Sequence, residues 1–522
     1  MLKRAPLALL TPLLAAVAAN ATELNRVALS RYGTNEQVTS IGQFSDVRPG
    51  DWAYQALSNL IERNGCVAGY SNGRIVGNRT ISRFEAAALL NACLDRLSTV
   101  TDELKQLMAA FAPELTALKG RLDGAEAKVG VMAAQQFSST TKLSGQATMV
   151  LGGSAYSGSA INTAANTVNT ATQGDQTLPN ALSFNYDVRL TFDSSFNGSD
   201  LLRTQLRAGN FDGNNNSFGG GGPTPLSTLE TAFQEPRGAQ ILGIYKLYYQ
   251  APLGGGLTAT VGPRVAMEDI LAFWPSVYPA STVLDVLTMA GAPVAYNYNR
   301  GAGAGLWWQR NGWSLSANYV AGNGNDGNPA AGGIGTANAA SSGTVQFGFH
   351  DPSWGLALAY TGVQNGAIPY GTLSLLDALN TGPTFTNAFA LSGYWQPSRS
   401  GWIPSISAGW GINSTTYNTL QPPGTATTIQ SWSVGLNWND AFAPGHAAGM
   451  GFGQAPFATA QSGGGNPNDA NWMWEWWYNL QLSDNISVTP AVFYLSRPLG
   501  QQTPAGQSFN QWGALIKTQF TF

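Results

Sequence analysis

Trp512, Ala514, Ile516, Thr518, Phe520 and Phe522 fall on one side of an extended strand, while Gly513, Leu515, Lys517, Gln519 and Thr521 fall on the other. In a soluble sheet this segment is an ordinary amphipathic edge, open to pairing with other chains. In a closed barrel it has a neighbour on each side. The preceding residues decide between the two, because they repeat the pattern. Phe184, Tyr186, Val188, Leu190 and Phe192 alternate with Asn185, Asp187, Arg189, Thr191 and Asp193, and after a turn at Ser194 to Ser199 the alternation resumes at Leu202, Thr204, Leu206 and Ala208. It returns at Trp354 to Tyr360, Trp432 to Trp438, Trp472 to Leu482 and Ile486 to Tyr494. About sixteen such runs, give or take two, lie between Lys142 and Phe522, joined alternately by short turns and long Gly/Asn-rich loops. The expectation is a mainly β protein: an antiparallel transmembrane β-barrel, apolar side to lipid and polar side to a water-filled lumen, with its closing strand at the C-terminus.

Composition supports this. Only 11% of residues are charged, with 62 Gly and 16 Trp, yet no run of 18 apolar residues is present to make a helical span. Alternating strands reconcile the two facts, hiding apolar residues at every second position. A net charge of -3 argues against nucleic acid as a partner. The two histidines, His350 and His446, lie far apart, so no metal cluster or catalytic group stands out, and neither an enzyme nor a cofactor is expected. The longest loop, from about Arg264 to Arg300, carries Glu268, Asp269, Phe273, Trp274, Pro275 and Asp285. Folded inward, it would set the aperture, with Glu268 and Asp269 facing lumenal Arg189, Arg203, Arg207 and Lys246 across a transverse field. The competing reading is that these are solvated loop and wall charges.

Ahead of the barrel (residues 138–522) the pattern changes. Met1 to Ala21 reads as a secretory signal: Lys3 and Arg4, an apolar run from Leu7 to Ala19, then Ala19-Asn20-Ala21 as a cleavage site. Residues 22–42 are a polar leader. In residues 43–98, Asp51 can cap a helix with Ala53, Ala56, Leu57, Leu60 and Ile61 on one face, and Ser82-Arg83-Phe84-Glu85 is a capping box for a second. Cys66 and Cys93, an even pair in a small exported domain, are expected to form a disulfide. Residues 101–137 carry Leu104, Leu107, Phe111, Leu115, Leu118, Leu122, Ala125, Val129 and Met132 at heptad-like spacing, with Pro113 at a stutter. The stripe either packs on its own domain or forms a trimeric coiled-coil stalk; the second is the expectation, because no other surface is evident for it to cover.

Phe44-Ser45-Asp46-Val47, Trp52-Ala53, Ala56-Leu57, Leu60, Gly65 to Tyr70, Asn72-Gly73 and Ile81 to Glu85 together resemble one S-layer homology (SLH) domain. Such domains bind acidic, often pyruvylated, cell-wall polysaccharide. The resemblance implies that Arg83 receives a carboxylate of the polymer, with Trp52 against a sugar ring and Asp46 on hydroxyls; Phe84 departs from the small residue of the family motif. Signal, single SLH domain, stalk and barrel in this order resemble the SLH-bearing porins of cyanobacterial outer membranes, whose barrels are similar to carbohydrate-selective porins. The resemblance implies a homotrimeric outer-membrane channel for passive diffusion of small hydrophilic solutes and inorganic ions, its N-terminal domain in the periplasm and tied to peptidoglycan-linked polysaccharide. The alternative is a plugged barrel that serves as a tether between membrane and wall.

Overall fold

In the computed structural model the described residues are 51–53, 55–57, 86–87, 89–90, 102–112, 114–115, 140–162, 178–211, 216–219, 224–280, 283–366, 370–379, 384–399 and 401–522. The chain divides into two units, Met1–Gln136 and Phe137–Phe522.

The second unit is built by hydrogen-bonding each strand to the next until none is left with an open edge. In chain order the strands are β1 (Thr141–Ser157), β2 (Ser183–Ser194), β3 (Leu201–Gly209), β4 (Gly243–Gly254), β5 (Leu257–Ala266), β6 (Arg300–Arg310), β7 (Trp313–Ala321) and β8 (Ser341–His350). They continue with β9 (Trp354–Gln364), β10 (Thr384–Trp395), β11 (Ser405–Tyr417), β12 (Ala426–Asn439), β13 (Ala447–Gln461), β14 (Trp472–Ser483), β15 (Ile486–Ser496) and β16 (Asn510–Thr521). Each pairs antiparallel with its sequence neighbours. The barrel closes where β1 pairs with β16, from Gln146 opposite Thr521 to Ser157 opposite Asn510. The expected sixteen-stranded barrel is therefore observed.

Alternation sorts the side chains as a membrane requires and the reverse of a soluble core. Trp313, Trp512 and Ile516 point outward and are about half exposed (48%, 48% and 49%), whereas Glu475, Gln511 and Thr361 point inward and are 0% exposed. The short connections, such as Gly255-Gly256 between β4 and β5 or Asp484-Asn485 between β14 and β15, gather at one rim. The long ones, 210–242 and 267–299 above all, gather at the other. Helix α2 (Leu373–Leu379) lies in the long connection between β9 and β10.

In the first unit, helix α1 spans Asp102–Ala110. Ala56, Leu57, Ala86, Ala87, Leu89 and Leu90 are buried, and so are Leu104, Leu107 and Phe111. The rest of the stripe beyond Leu115 lies outside the described residues.

Inside and outside are tested by placing the same charge on each face of β16. Ile516→Arg should lower stability by about 2–4 kcal/mol in urea titrations of the barrel folded in lipid vesicles. Gln519→Arg, on the inner face, should stay within about 0.5 kcal/mol of wild type. Equal losses in the two variants would contradict the assignment of faces.

Candidate functional site

The inner wall is rich in Ser, Thr, Asn and Gly, and these residues accept a loop that hangs inside the barrel. After β5 the chain makes a short 3-10 turn, Met267–Ile270, and then follows the wall. The Ala272 amide donates to Ser316 Oγ of β7 at 2.9 Å, and the Val277 and Tyr278 amides donate to Ser407 Oγ of β11 at 2.9 and 3.0 Å. On β14 the two Glu475 oxygens take the Tyr278 hydroxyl and the Leu284 amide, both at 2.7 Å. Returning, the loop presents Gly291 O to Ser431 Oγ of β12, Ala290 O to Ser392 Oγ of β10, Ala295 O to Thr361 Oγ1 of β9 and the Tyr296 hydroxyl to Gln346 Nε2 of β8. Gly409 of β11 is needed for this path, since a Cβ there would collide with Ala290 O. Ala290 and Tyr298 adopt left-handed backbone conformations, with φ of 49° and 51°. That costs on the order of 1–3 kcal/mol each, sustained by the docking contacts around them.

A second loop, between β3 and β4, turns inward over its described residues 216–219 and 224–234, and its sequence gives no signal of this. Thr224 donates to Gln511 of β16, and Phe218 packs edge-to-face on Phe493 of β15 at 6.2 Å. Phe211, Phe218, Leu226 and Leu229 share one apolar cluster with Tyr278, Leu284 and Leu287 of the first loop and with Val150, Met473, Trp477 and Leu515 of the wall. The two loops join directly through a Leu229–Leu284 bridge, with the Glu230 amide donating to Val283 O and the Asp285 amide to Thr228 O, each at 3.0 Å. Together they line the wall from β7 round to β1.

The remaining arc, β2 to β6, carries the charges, and the second loop caps part of it: Thr231 donates to Asp187 and Phe233 lies over Arg207, so that both charges are buried. Arg189 and Arg207 face each other directly across β2 and β3, an arrangement that repels unless an anion intervenes. Asp187 supplies it: Arg207 Nε and Nη2 donate to its two oxygens at 2.6 and 3.1 Å, and Arg189 Nε donates at 2.7 Å. Arg189 also reaches Glu230 of the second loop at 3.0 Å. Nearer the short-turn rim, Arg203 forms a two-pronged pair with Asp193 at 2.8 and 2.7 Å. On β4 the register slips by one residue opposite Gln205/Leu206; this bulge turns both Tyr245 and Lys246 inward. Lys246 Nζ donates to Glu268 at 3.2 Å and to Asp269 at 2.8 Å, and Arg300 lies 3.9 Å from Glu268. Arg300 also stacks on the Tyr245 ring at 3.7 Å.

Arg189, Arg203, Arg207, Lys246, Glu268 and Asp269 thus all lie inside the barrel on one arc, with Arg207 buried. Glu268 and Asp269 sit in contact with Lys246 and not across a gap from the arginines, which have carboxylates of their own. The charges form short-range pairs. Asp187, Glu230 and Arg300 complete the set. The signal for Asp187 was present as the like-charged Arg189 and Arg207 on adjoining strands, but only register shows that they meet. Of the wall-binding candidates, Trp52 is helical and about half exposed at 48%, while Asp46 and Arg83 lie outside the described residues, as do Cys66 and Cys93 of the expected disulfide.

Three loops meet at Asp285. Its amide is held by Thr228 O, one carboxylate oxygen takes the Tyr370 hydroxyl from the β9–β10 connection, and the other takes Thr288 Oγ1 at 3.2 Å. Burial pushes this carboxyl up to about 6, the Tyr370 hydroxyl pulling it back and nearby Glu230 adding to the rise. Burial pushes Glu230 up as well, yet Arg189, Arg207 and Lys517 together outweigh it and hold that carboxyl below the usual range.

Residues 101–522 match the family described as carbohydrate-selective porin, OprB family, and residues 43–87 match the S-layer homology domain. An uncharacterized protein of Nostoc sp. is 32% identical over 539 residues, covering 93% of this chain and 86% of its own. One of Synechocystis sp. is 29% identical over 533 residues, covering 93% and 91%. Among solved structures, the high-pH form of Pseudomonas putida OprB aligns over 73% of this chain and 94% of its own, at 12% identity and a TM-score of 0.43.

Because the Asp285 carboxyl favours its neutral form when docked, its contribution to stability is full below the ordinary carboxylate range and is lost as pH rises through about 6. Asp285→Asn keeps the shape and removes the titration. Between pH 4 and pH 8 the variant should gain on wild type by up to about 3 kcal/mol, read from melting in detergent. Parallel melting curves at both pH values would contradict the assignment.

Proposed function

The chain belongs to the carbohydrate-selective porin, OprB family, and from that membership we propose how its lumen and its N-terminal domain are used. It is an outer-membrane porin that carries an SLH domain, a channel by family and fold and not an enzyme. The finer reading is passive diffusion of small, uncharged hydrophilic solutes, saccharides among them, with inorganic ions passing at little preference for sign. One observation carries it. On the β2-to-β6 arc and the loop residues against it, five cations (Arg189, Arg203, Arg207, Lys246, Arg300) meet five carboxylates (Asp187, Asp193, Glu230, Glu268, Asp269), so this set has no net charge. Paired charges offer donors and acceptors to hydroxyl groups while presenting little long-range field to an ion. Selectivity then rests on the width left beside the two loops and on hydrogen bonding along the arc.

The wall-anchoring role remains with Asp46, Trp52 and Arg83, on acidic polysaccharide linked to peptidoglycan. The exposed indole of Trp52 supports it. Assembly as a homotrimer, with the segment ahead of β1 as its periplasmic link, belongs to the same proposal. So do the boundaries at 1–21, 22–42, 43–98, 101–137 and 138–522. The tether reading has one observation in its favour: two inward loops line the wall from β7 to β1.

Liposome swelling separates the two readings. Vesicles carrying the folded protein should swell readily in a small neutral sugar and more slowly in a sugar acid of like size; vesicles that do not swell in either would leave only the tether. In planar bilayers under a salt gradient, stepwise currents with a reversal potential near zero are expected, whereas a strongly cation- or anion-selective potential would contradict the paired arc. For the anchor, the full-length chain should sediment with peptidoglycan sacculi and Arg83→Ala should not; equal sedimentation would remove Arg83 from the site.

A further inference from the structure

The outward residues of β9 to β12 stand in three cross-strand rows near the short-turn rim. Trp354, Trp395, Ile406 and Leu436 form the row nearest the rim; Leu356, Gly393, Ala408 and Val434 form the next; Leu358, Leu391, Trp410 and Trp432 form the third. The middle row is small at its centre, where Gly393 lies opposite Ala408, and the rows on either side are tall. The result is an apolar groove of about 810 Å³ on the lipid-facing surface, walled by Trp354, Trp395, Trp410 and Trp432. That is within the range of about 300–1,000 Å³ typical of clefts that hold small organic ligands. A second apolar groove of about 300 Å³ lies on the other side of β9, against Trp313, Phe347 and Phe349. Trp354 and Leu356 border both grooves, so a single ridge on β9 divides them, and they are separated by about two strand spacings, roughly 10 Å.

Each groove has an exposed arginine at its rim end. Arg310 is the cross-strand partner of Trp313, and Arg399 lies on the β10–β11 turn just beyond Trp395. The carboxylate between them, Asp351, accepts the Ser353 and Trp354 amides at 2.6 and 2.9 Å and so is engaged in its own turn. Trp402 on the β10–β11 turn and Phe442 on the β12–β13 turn are 90% and 87% exposed. Large aromatic side chains left this open are suited to headgroup depth at a membrane interface. The short-turn rim of such a barrel faces the periplasm.

We propose that this surface is a binding site for one two-tailed anionic phospholipid of the inner leaflet. Its tails straddle the Trp354–Leu356 ridge and its negative headgroup lies at the short-turn rim, beside Arg399 and in the wider field of Arg310. The grooves match two chains of one molecule, the arginines match a negative headgroup, and the lipid-facing position matches nothing that must dissolve in water. The site is separate from the lumen, so solute passage can be as described above whether or not this site exists.

The test is native mass spectrometry of the full-length protein in detergent, titrated after delipidation with phosphatidylglycerol or with phosphatidylcholine. Wild type should retain one phosphatidylglycerol per chain and favour it over phosphatidylcholine. Ala408→Leu fills the larger groove from its exposed face and should reduce retention of both lipids by about ten-fold. Arg399→Gln should leave phosphatidylcholine unchanged and weaken phosphatidylglycerol by about five-fold. Heat-modifiable mobility confirms that each variant is folded. Wild type that retains no lipid, or folded Ala408→Leu that retains as much as wild type, overturns the proposal. So does a variant that changes only the oligomeric state, which would give the groove to a second copy of the chain.

Discussion

A backbone that crosses lipid has no water to bond its amides and carbonyls, and each unpaired group there costs several kcal/mol. The pairing of β1 with β16 answers that constraint, since it removes the last open edge. Once the edge is closed, the two faces of every strand are decided at once. Residues such as Trp512 and Ile516 meet lipid, and residues such as Gln511 and Lys517 meet the interior. A one-residue slip at the closure would exchange the two sets along β16. The closing register is thus also the statement of what is inside.

The interior that this creates is polar and small-residued, and it is used as a docking surface. Serine and threonine hydroxyls along β7 to β12 and the Glu475 carboxylate of β14 take the polar backbone of the 267–299 loop, which would otherwise be left unpaired in a confined space. The second loop adds apolar burial through Phe218 and Leu226, each contributing on the order of 1.5–3 kcal/mol. The loops cover the β2 to β6 arc only in part, and there every named charge has an opposite within contact. Tyr245, brought inward by the β4 bulge, places its ring 4.6 Å from the Arg207 guanidinium carbon and 3.7 Å from that of Arg300.

How much of this could be read in advance depends on the range of the interaction. The strands were legible, because a period of two in residues such as Phe184 to Asp193 survives without any knowledge of partners. The aperture was half legible. Glu268, Asp269 and Lys246 were recognised as facing one another, yet their contact on a single wall depends on the Met267–Ile270 turn, which no periodicity announces. Nothing local in the sequence distinguishes Glu475 from the other inward residues of β14, and its grip on Tyr278 and Leu284 joins positions nearly two hundred residues apart. The 210–242 loop, with its run of glycines at 219–222, has the composition of a solvated connection; its apolar residues gain meaning only beside Leu284 and Phe493. In the N-terminal unit the spacing of Leu104, Leu107 and Phe111 marks an apolar stripe, and all three are buried, but spacing alone does not name what covers them.

The most direct measurement is the reaction of single cysteines with a small, charged, water-soluble thiol reagent during channel recording, in a chain whose Cys66 and Cys93 are replaced by serine. Cysteine in place of Thr191 or Gln205, on the β2-to-β6 arc, should react within seconds and reduce the current. Cysteine in place of Thr361, beneath the docked loop, or of Ile516, on the lipid face, should stay inert. Fast reaction at Thr361 with none at Gln205 would contradict the account, since water would then run along the wall assigned to the loops.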